Sequence, residues 1–258
     1  MRRAPGVRRT APRVELTPAE VGFVRRLVVH QDAAVLALNK PAGLSSQGGR
    51  GQAHTLDELL WAFAKSGGKR PRLIHRLDRD TSGVILAART QPAAAYLGRA
   101  MMERRFEKTY IALVGDGAPR TEDGDLVEGL IDTPLRREEI GREAYMRACT
   151  IDHLAAESAL TRWRTLASAP GVALLELKPE TGRMHQLRVH LASVGRPILG
   201  DPRYGGALAV GGAAIPRLML HAAELGFPHP NGGVMRLRAS PPEDFAATAA
   251  ALGLPLPS

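Results

Sequence analysis

The chain of 258 residues can form one large domain or two smaller ones, and its 44% hydrophobic and 24% charged residues are typical of a soluble globular protein. The net charge of +9 favours a polyanionic partner, nucleic acid ahead of membrane, although a charge that only serves solubility is the alternative. The single cysteine, Cys149, excludes an internal disulfide and a multi-cysteine zinc site. The sequence shows neither a signal peptide nor a run of about 18 apolar residues, so we expect a cytoplasmic protein.

The first half of the chain begins with a basic arm. Residues 1–20 carry five arginines and three prolines with little apolar periodicity, which indicates a mobile segment. Thr55 and Glu58 form a capping box, and the apolar residues after them repeat on one helix face. The predicted elements are strands at 27–30, 33–38, 73–77, 84–88 and 108–114, and helices at 55–64 and 91–105.

The second half is richer in strands. Residues 116–144 are charged and interrupted by glycine and proline, and no long element is predicted there. The other predicted elements are strands at 144–151, 158–166, 171–178 and 234–237, an ordered segment at 218–227, and helices at 181–195 and 242–252. Because strands outnumber helices and tight turns join several of them, we expect an α+β fold. Its sheet should be mixed and mostly antiparallel, flanked by helices and loops.

The stretch from residue 73 to residue 88 gives the strongest indication of a functional site. Its two apolar ends enclose a polar turn that contains two carboxylates, Asp78 and Asp80. Arg76 and Arg79 are expected to lie beside these carboxylates. A carboxylate held next to guanidinium groups at the mouth of an apolar element stays ionised at neutral pH, as a nucleophile or general base must. The alternative is a structural ion pair.

Two further polar clusters occur downstream. Tyr110 lies on a predicted strand, and residues 183–190 combine two arginines with two histidines. His185 and Arg188 are three apart and share a helix face, whereas His185 and His190 are five apart, unlike the four of a zinc-binding helix. Taken singly, each of these residues is more often part of a core or an ion pair than of a catalytic site.

Six motifs follow one another along the chain. They are Asn39-Lys-Pro-Ala-Gly, His75-Arg-Leu-Asp-Arg-Asp-Thr-Ser-Gly, Lys108-Thr-Tyr-Ile-Ala-Leu-Val, Thr181-Gly-Arg-Met-His-Gln-Leu-Arg-Val-His, Arg196-Pro-Ile-Leu-Gly-Asp and Leu220-His-Ala. This series resembles the RluA-type pseudouridine synthases over about residues 27–245. The second motif is highly specific, and the order of the others leaves little room for chance agreement.

The resemblance implies an RNA uridine isomerase that needs no cofactor and no metal. Such an enzyme breaks the bond between ribose and the uracil nitrogen, turns the base, and rejoins it through carbon. By the same resemblance Asp78 is the catalytic residue, which either attacks the substrate covalently or removes a ribose proton to give a glycal. Either role needs an ionised carboxylate placed against a desolvated base.

The resemblance also implies roles for other side chains. Arg76 would hold the target uridine out of the stack, and Leu187 would pack against the base. Tyr110 would stack on the base and assist removal of the C5 proton. Arg188 would pair with Asp78 and keep it ionised. Three more residues are expected to bind substrate, namely His75, Arg183 and His185. The turn around Asp78 is expected to be held by hydrogen bonds of Asp80, Thr81 and Ser82.

We expect a flexible arm at 1–20 and a catalytic domain at 21–258. The small RNA-binding domain that precedes the catalytic part in many relatives is not expected, because fewer than about 30 residues precede the first strand. The glycine-rich loop at 47–51 weakly favours ribosomal RNA over tRNA as substrate. We expect a monomer that binds RNA and no membrane.

Two other functions are compatible with parts of the sequence. A non-catalytic RNA-binding or RNA-chaperone protein on the same fold would need no carboxylate at Asp78. A hydrolase that uses aspartate and histidine would turn over small esters or glycosides without RNA, but the basic charge disfavours it.

Overall fold

A ten-stranded mixed sheet is the framework of the chain. The structure, a computed structural model, describes residues 14–48, 54–64, 68–115, 128–141 and 143–257. The strands are β1 Val28–Gln31, β2 Val35–Lys40, β3 Arg72–Leu73, β4 Ser82–Ala88, β5 Glu107–Gly115, β6 Glu128–Ile131, β7 Leu135–Ile140, β8 Glu143–Ala148, β9 Thr161–Ala169, β10 Val172–Pro179, β11 Ala209–Val210, β12 Ala213–Ala214, β13 Leu220–Pro228 and β14 Val234–Arg238. The helices are α1 Pro18–Arg26, α2 Leu56–Leu59, α3 Gln91–Met102, α4 Gln186–Ser193 and α5 Glu243–Ala251, and a 3₁₀ helix at Leu60–Phe63 continues α2.

The strand order of the main sheet is β1-β2-β4-β13-β5-β10-β9-β6, with β3 paired to β4 and β14 paired to β13. The β4–β13 pair is parallel, and the other pairs of this sheet are antiparallel. Two hairpins, β7–β8 and β11–β12, stand apart from it. The expected α+β class, with a mixed and mostly antiparallel sheet, is therefore confirmed.

Two apolar clusters pack against this sheet. One joins β2 and β4 to α1, α2 and α3, and the other joins β5 and β10 to α4 and α5. All seven residues of β4 are buried because the strand is paired on both sides and covered by apolar side chains. The rigid centre of the sheet therefore ends at the polar turn before β4.

Threonine capping boxes begin two of the helices. Thr55 and Glu58 cap α2 as predicted, although the helix tightens to 3₁₀ geometry after its first turn. Thr17 and Glu20 form the same arrangement at the start of α1. Helix α1 was missed, because the predicted arm at 1–20 extends into it. Residues 1–13 of that arm lie outside the described residues.

The predicted strand at 73–77 was wrong. Only Arg72–Leu73 forms a regular pair with β4, and after one more backbone bond, from the Ile74 N–H to the Leu86 carbonyl at 2.9 Å, the chain leaves the sheet. The reason is a side chain that takes the place of a strand partner. The Nε2 atom of His75 accepts a hydrogen bond from the Leu86 N–H at 3.1 Å. The following residues are thereby free to form the turn that carries Asp78.

Two other boundaries differ from the prediction. Segment 116–144, where no long element was predicted, contains β6 and β7, although residues 116–127 are outside the described part. Strand β7 reads Leu-Arg-Arg-Glu-Glu-Ile, and its hairpin with β8 is stabilised by cross-strand charge pairs such as Arg147–Glu138 at 2.8 Å. Helix α3 ends at Met102, three residues before the predicted end, because Arg104 adopts a φ of 56°.

The parallel contact between β4 and β13 explains two motif residues. Gly83 has a φ of 120°, and a Cβ atom there would lie 2.2 Å from the Ala222 carbonyl oxygen. His221 is fully buried, and its Nε2–H donates to the Ala239 carbonyl at 2.9 Å. Its Nδ1 then accepts from the Ser82 hydroxyl at 3.0 Å. These contacts fix the end of β13 beside the turn before β4.

Candidate active site

An open cleft of about 230 Å³ lies where the turn before β4 meets β5 and the start of α4. It is lined by residues from four of the six sequence motifs and by the end of β10. The side chains at its centre are Arg76, Leu77, Asp78, Lys108, Tyr110, Arg183, His185, Leu187 and Arg188. The fold therefore brings together polar clusters, some of which lie more than 100 residues apart in the sequence.

Asp78 faces this cleft with 23% of its side chain exposed. Its Oδ2 lies 3.6 Å from Nη1 of Arg188 and 3.8 Å from Nε2 of His185. Both partners come from the motif that begins at Thr181. The carboxylate is thus accessible to a ligand, yet it is held beside a permanent positive charge.

The shortest contacts of Arg188 are with a different carboxylate. Its Nε and Nη2 donate to Asp201 Oδ2 and Oδ1 at 2.7 and 2.8 Å, a two-pronged pair in which the Asp201 side chain is only 1% exposed. Burial acts to lower the pKa of Arg188, but the hydrogen bonds and charge of Asp201 raise it. Arg188 therefore forms two ion pairs, and the predicted pair with Asp78 is longer than the pair with Asp201. Asp201 orients the guanidinium, which in turn contacts Asp78.

Tyr204 contacts both residues that face Asp78, His185 and Arg188. Its hydroxyl accepts from the Met146 N–H at 3.1 Å and lies 2.8 Å from Nδ1 of His185, while the Arg188 guanidinium stacks on its ring at 5.0 Å. If the hydroxyl donates to Nδ1, the hydrogen of the imidazole lies on Nε2 and faces Asp78. Burial lowers the pKa of His185, although the charge of Asp78 opposes this, so the ring is neutral at neutral pH.

Tyr110 and Leu187 form apolar walls of the cleft. Leu187 is buried on α4, and Tyr110 projects from β5. Burial raises the pKa of the Tyr110 phenol, and the negative charge of Asp78 raises it further. The phenol therefore keeps its proton at neutral pH, which suits a group that packs against a base and donates a hydrogen bond. A phenol that keeps its proton does not act as a general base in the free protein.

The remaining predicted substrate-binding residues do not all converge on the cleft. Arg76 is exposed at its edge, and no ion pair joins it to Asp78 among the described residues. Arg183 lies in the wall, but its guanidinium is bound to Glu157 at 2.6 Å. His75 does not line this cleft; its ring holds the backbone of β4 instead, and burial lowers its pKa to about 3. The expected flanking of the carboxylates by arginines was therefore wrong for Arg76.

Of the three residues predicted to hold the turn around Asp78, Thr81 does so through its backbone, since its N–H donates to the Asp78 carbonyl at 3.2 Å. Asp80 is exposed and makes only a 4.0 Å contact with Arg79, and Ser82 bonds to β13 rather than to the turn. The hydroxyl of Ser46 instead donates to the Leu77 carbonyl at 2.7 Å and accepts the Leu77 N–H at 3.1 Å. The backbone of the turn is thus fixed from the loop after β2.

Lys40 also fixes the backbone of this turn. It is completely buried, and its ammonium donates to three carbonyl oxygens at 2.8–3.0 Å, those of Pro41, Leu44 and Arg79. Burial lowers the pKa of Lys40 to about 7, while the charges of Asp80 and Asp78 act to raise it. Three acceptors match the three hydrogens of an ammonium group. The sequence motif contains this lysine, but nothing in its spacing reveals the buried contacts.

Replacing Lys40 with methionine is expected to lower the free energy of unfolding by roughly 3 kcal/mol, because three backbone carbonyls lose their donor. The turn that carries Asp78 should also lose its fixed position. Chemical denaturation measures the stability. Lys178→Met is the matched control, since that side chain is 55% exposed on β10 and its loss should cost about 1 kcal/mol or less. Equal effects of the two substitutions would contradict the role of Lys40.

The chain is similar to known proteins over most of its length. The family model described as RNA pseudouridylate synthase matches residues 34–193. A mitochondrial RNA pseudouridine synthase 4 from Arabidopsis thaliana is 39% identical over 71% of this chain, and ribosomal large subunit pseudouridine synthase D from Zymomonas mobilis is 34% identical over 80%. A solved structure of human RNA pseudouridylate synthase domain containing 4 superposes with a TM-score of 0.76 at 26% identity, over 93% of this chain and 98% of that one.

The chain belongs to the RNA pseudouridylate synthase family. It spans 41% of the length of the Arabidopsis protein and 66% of that of the Zymomonas protein. Within the described ranges no helix is long and apolar enough to cross a membrane. In the same ranges, no three His, Cys, Asp or Glu side chains are grouped so that they could hold a metal ion.

Proposed function

We propose that this protein isomerises uridine to pseudouridine in RNA, with Asp78 as the catalytic residue. The observation that carries the proposal is the placement of Asp78 in an open cleft, 3.6 Å from a guanidinium that Asp201 holds in place. The apolar walls at Tyr110 and Leu187 offer a planar base a desolvated site.

The reaction is an isomerisation and is balanced without a redox partner. The bond between ribose C1′ and uracil N1 breaks, the base turns, and C1′ bonds to C5. The C5 proton leaves, and N1 takes up a proton. Asp78 either bonds covalently to the substrate or removes a ribose proton, and both routes need a carboxylate that is accessible and charged. The fixed positive charge of Arg188 beside it supports this state.

The other cleft residues position the base. Tyr110, which keeps its proton, packs against the uracil ring and donates a hydrogen bond. Leu187 covers the base within the cleft, and Arg76 at the exposed edge contacts the strand from which the uridine has been flipped. His185 directs its Nε2 at the carboxylate and assists in holding it.

We further propose that the substrate is ribosomal RNA. The net charge of +9 supports a nucleic acid partner, and several relatives are named as ribosomal large subunit pseudouridine synthases C or D. A non-catalytic RNA-binding function would not account for an accessible carboxylate maintained beside a buried arginine and a half-buried histidine. The expected cytoplasmic location and monomeric state remain predictions.

Release of tritium from RNA tests the proposed activity. In transcripts labelled at uracil C5, formation of the new bond at C5 sends the label to solvent, whereas binding alone or hydrolysis of the glycosidic bond does not. We expect release from ribosomal RNA fragments and little from tRNA transcripts. No release from either RNA, with binding intact, would favour the non-catalytic alternative; release from tRNA alone would overturn the choice of ribosomal RNA.

A further inference from the structure

A second cavity of about 380 Å³ adjoins the cleft around Asp78. The two share one wall, which contains Arg76, Lys108 and the segment 181–183. The far side of the second cavity is formed by the end of α3 and the start of β5. An RNA strand that enters the first cleft can therefore continue directly into this neighbouring cavity.

Of the four arginine and lysine side chains that line the second cavity, Arg183 is bound to Glu157 and the other three have no protein partner among the described residues. In the described part of the chain, the side chains of Arg76, Arg104 and Lys108 make no ion pair and no hydrogen bond. Lys108 is half-buried, and burial lowers its pKa. The acid that lines the cavity, Glu180, is already bound to Arg162 at 2.5 Å. A half-buried ammonium without a counter-charge is costly, which indicates that an anion completes it.

Lys108 stands at the junction of the two cavities. Its Nζ lies beside Gly182, where a Cβ atom would be 3.8 Å away, and both residues line both cavities. An anion bound there would lie between a base in the first cleft and a ligand in the second. The phosphate that links two neighbouring nucleotides has this position and this charge.

The backbone of Arg104 is the second indication. Helix α3 ends in a turn in which Arg104 N–H bonds to the Met101 carbonyl and Arg105 N–H bonds to the Ala100 carbonyl. The residue in the left-handed conformation of such a turn is usually glycine, yet here it is an arginine with a φ of 56°. Strained positions of this kind are often retained for function. The arginine side chain lines the second cavity.

Apolar groups provide a surface for a base in the same cavity. Met102 is 78% exposed at the end of α3, which is unusual for a methionine of a folded chain. Met101 and Phe106 lie next to it in the wall. The combination of unpaired cations with the exposed thioether of Met102 fits a nucleotide better than a free anion or an acidic peptide.

We propose that the second cavity binds the nucleotide that adjoins the target uridine in single-stranded RNA. The linking phosphate lies on Lys108, the base packs against Met102, and Arg104 contacts the next phosphate. This inference rests on the proposed function for the identity of the first nucleotide. It adds a subsite that holds the RNA strand on one side of the target uridine, next to the catalytic cleft.

The experiment uses Arg104→Gly, because glycine suits the backbone at this position. If the arginine is retained for RNA binding, the variant binds the RNA substrate roughly tenfold more weakly. The slope of log Kd against log salt concentration also falls by about one, which corresponds to the loss of one phosphate contact. Its melting temperature should equal or exceed that of the parent, since the strained φ is relieved. Arg104→Gln, which keeps the backbone strain, should lose the same salt dependence. Arg25→Gln, at an exposed arginine of α1 that lines neither cavity, is the matched control.

A second measurement uses substrates rather than variants. Two RNAs are compared with the intact substrate, one with an abasic site 5′ of the target uridine and one with it 3′. The RNA that lacks the base bound in the second cavity should bind less tightly to the parent. Met102→Ser should remove this difference. Equal affinity and equal salt dependence of Arg104→Gly, Arg104→Gln and Arg25→Gln would overturn the subsite. These binding measurements do not depend on turnover, so a parent that releases no tritium refutes the proposed function without deciding the subsite.

Discussion

Replacing Asp78 with asparagine is expected to lower the rate of pseudouridine formation by about four orders of magnitude or more, because an amide of the same size is neither a nucleophile nor a base. The side chain is partly exposed at the turn, and Arg188 keeps its closer partner Asp201. We therefore expect RNA affinity and melting temperature to change little. Tritium release under single-turnover conditions measures the rate of the chemical steps separately from binding.

Asp80→Asn is the matched control for this substitution. Asp80 lies two residues further along the same turn, its side chain is 56% exposed, and its ion-pair contact, with Arg79, is at 4.0 Å. The same change of charge should therefore leave the rate within a few-fold of the parent, as is usual for loosely paired surface charges. Substantial activity of Asp78→Asn, or equal losses in both variants, would refute the assignment of Asp78.

The local patterns of the sequence predicted much of the fold. Capping of α2 by Thr55 and Glu58, the continuous apolar run of β4 and the glycine after α4 are signals contained in a few neighbouring residues. Where a side chain replaced the expected backbone partner, the prediction failed. The strand at 73–77 does not continue beyond Ile74, because the His75 ring then takes the place of the backbone in bonding to β4.

The candidate site was predicted only in part, for a related reason. Asp78, Tyr110 and Arg188 could be named by resemblance, and the structure places all three on one cleft. Asp201 and Lys40, which hold them, were not identified. Their contacts cross from one motif to another, and neither hydrophobic periodicity nor local charge spacing contains that information.

The structure connects these residues into one arrangement with two supports. From one side, Lys40 and the hydroxyl of Ser46 fix the backbone of the turn that carries Asp78. From the other side, Asp201 fixes the guanidinium that faces its carboxylate. The position of Asp78 therefore depends on buried polar contacts that never touch the substrate. Loss of either support should reduce activity together with stability.

Asp201→Asn should reveal this coupling most strongly. The change leaves the buried Arg188 guanidinium without its two-pronged partner, and breaking a buried ion pair from one side typically costs about 3–5 kcal/mol. The Oδ1 atom of Asp201 also accepts the Arg203 and Tyr204 N–H groups at 3.0 and 3.3 Å. We expect a loss of stability of this size in chemical denaturation. The rate of tritium release should fall as well, because the charge beside Asp78 is no longer fixed.

Asp244→Asn is the control, since Asp244 forms a similar two-pronged pair with Arg217 at 2.6 and 2.7 Å, but its carboxylate is 43% exposed. That loss should be about 1 kcal/mol or less. The double variant Arg188→Met/Asp201→Asn separates stability from function, because it removes the unpaired charge and keeps a side-chain oxygen for the Arg203 and Tyr204 N–H groups. It should be more stable than Asp201→Asn and yet inactive. An active double variant would show that Asp78 needs no guanidinium, and equal stability losses in Asp201→Asn and Asp244→Asn would show that burial of the pair is unimportant.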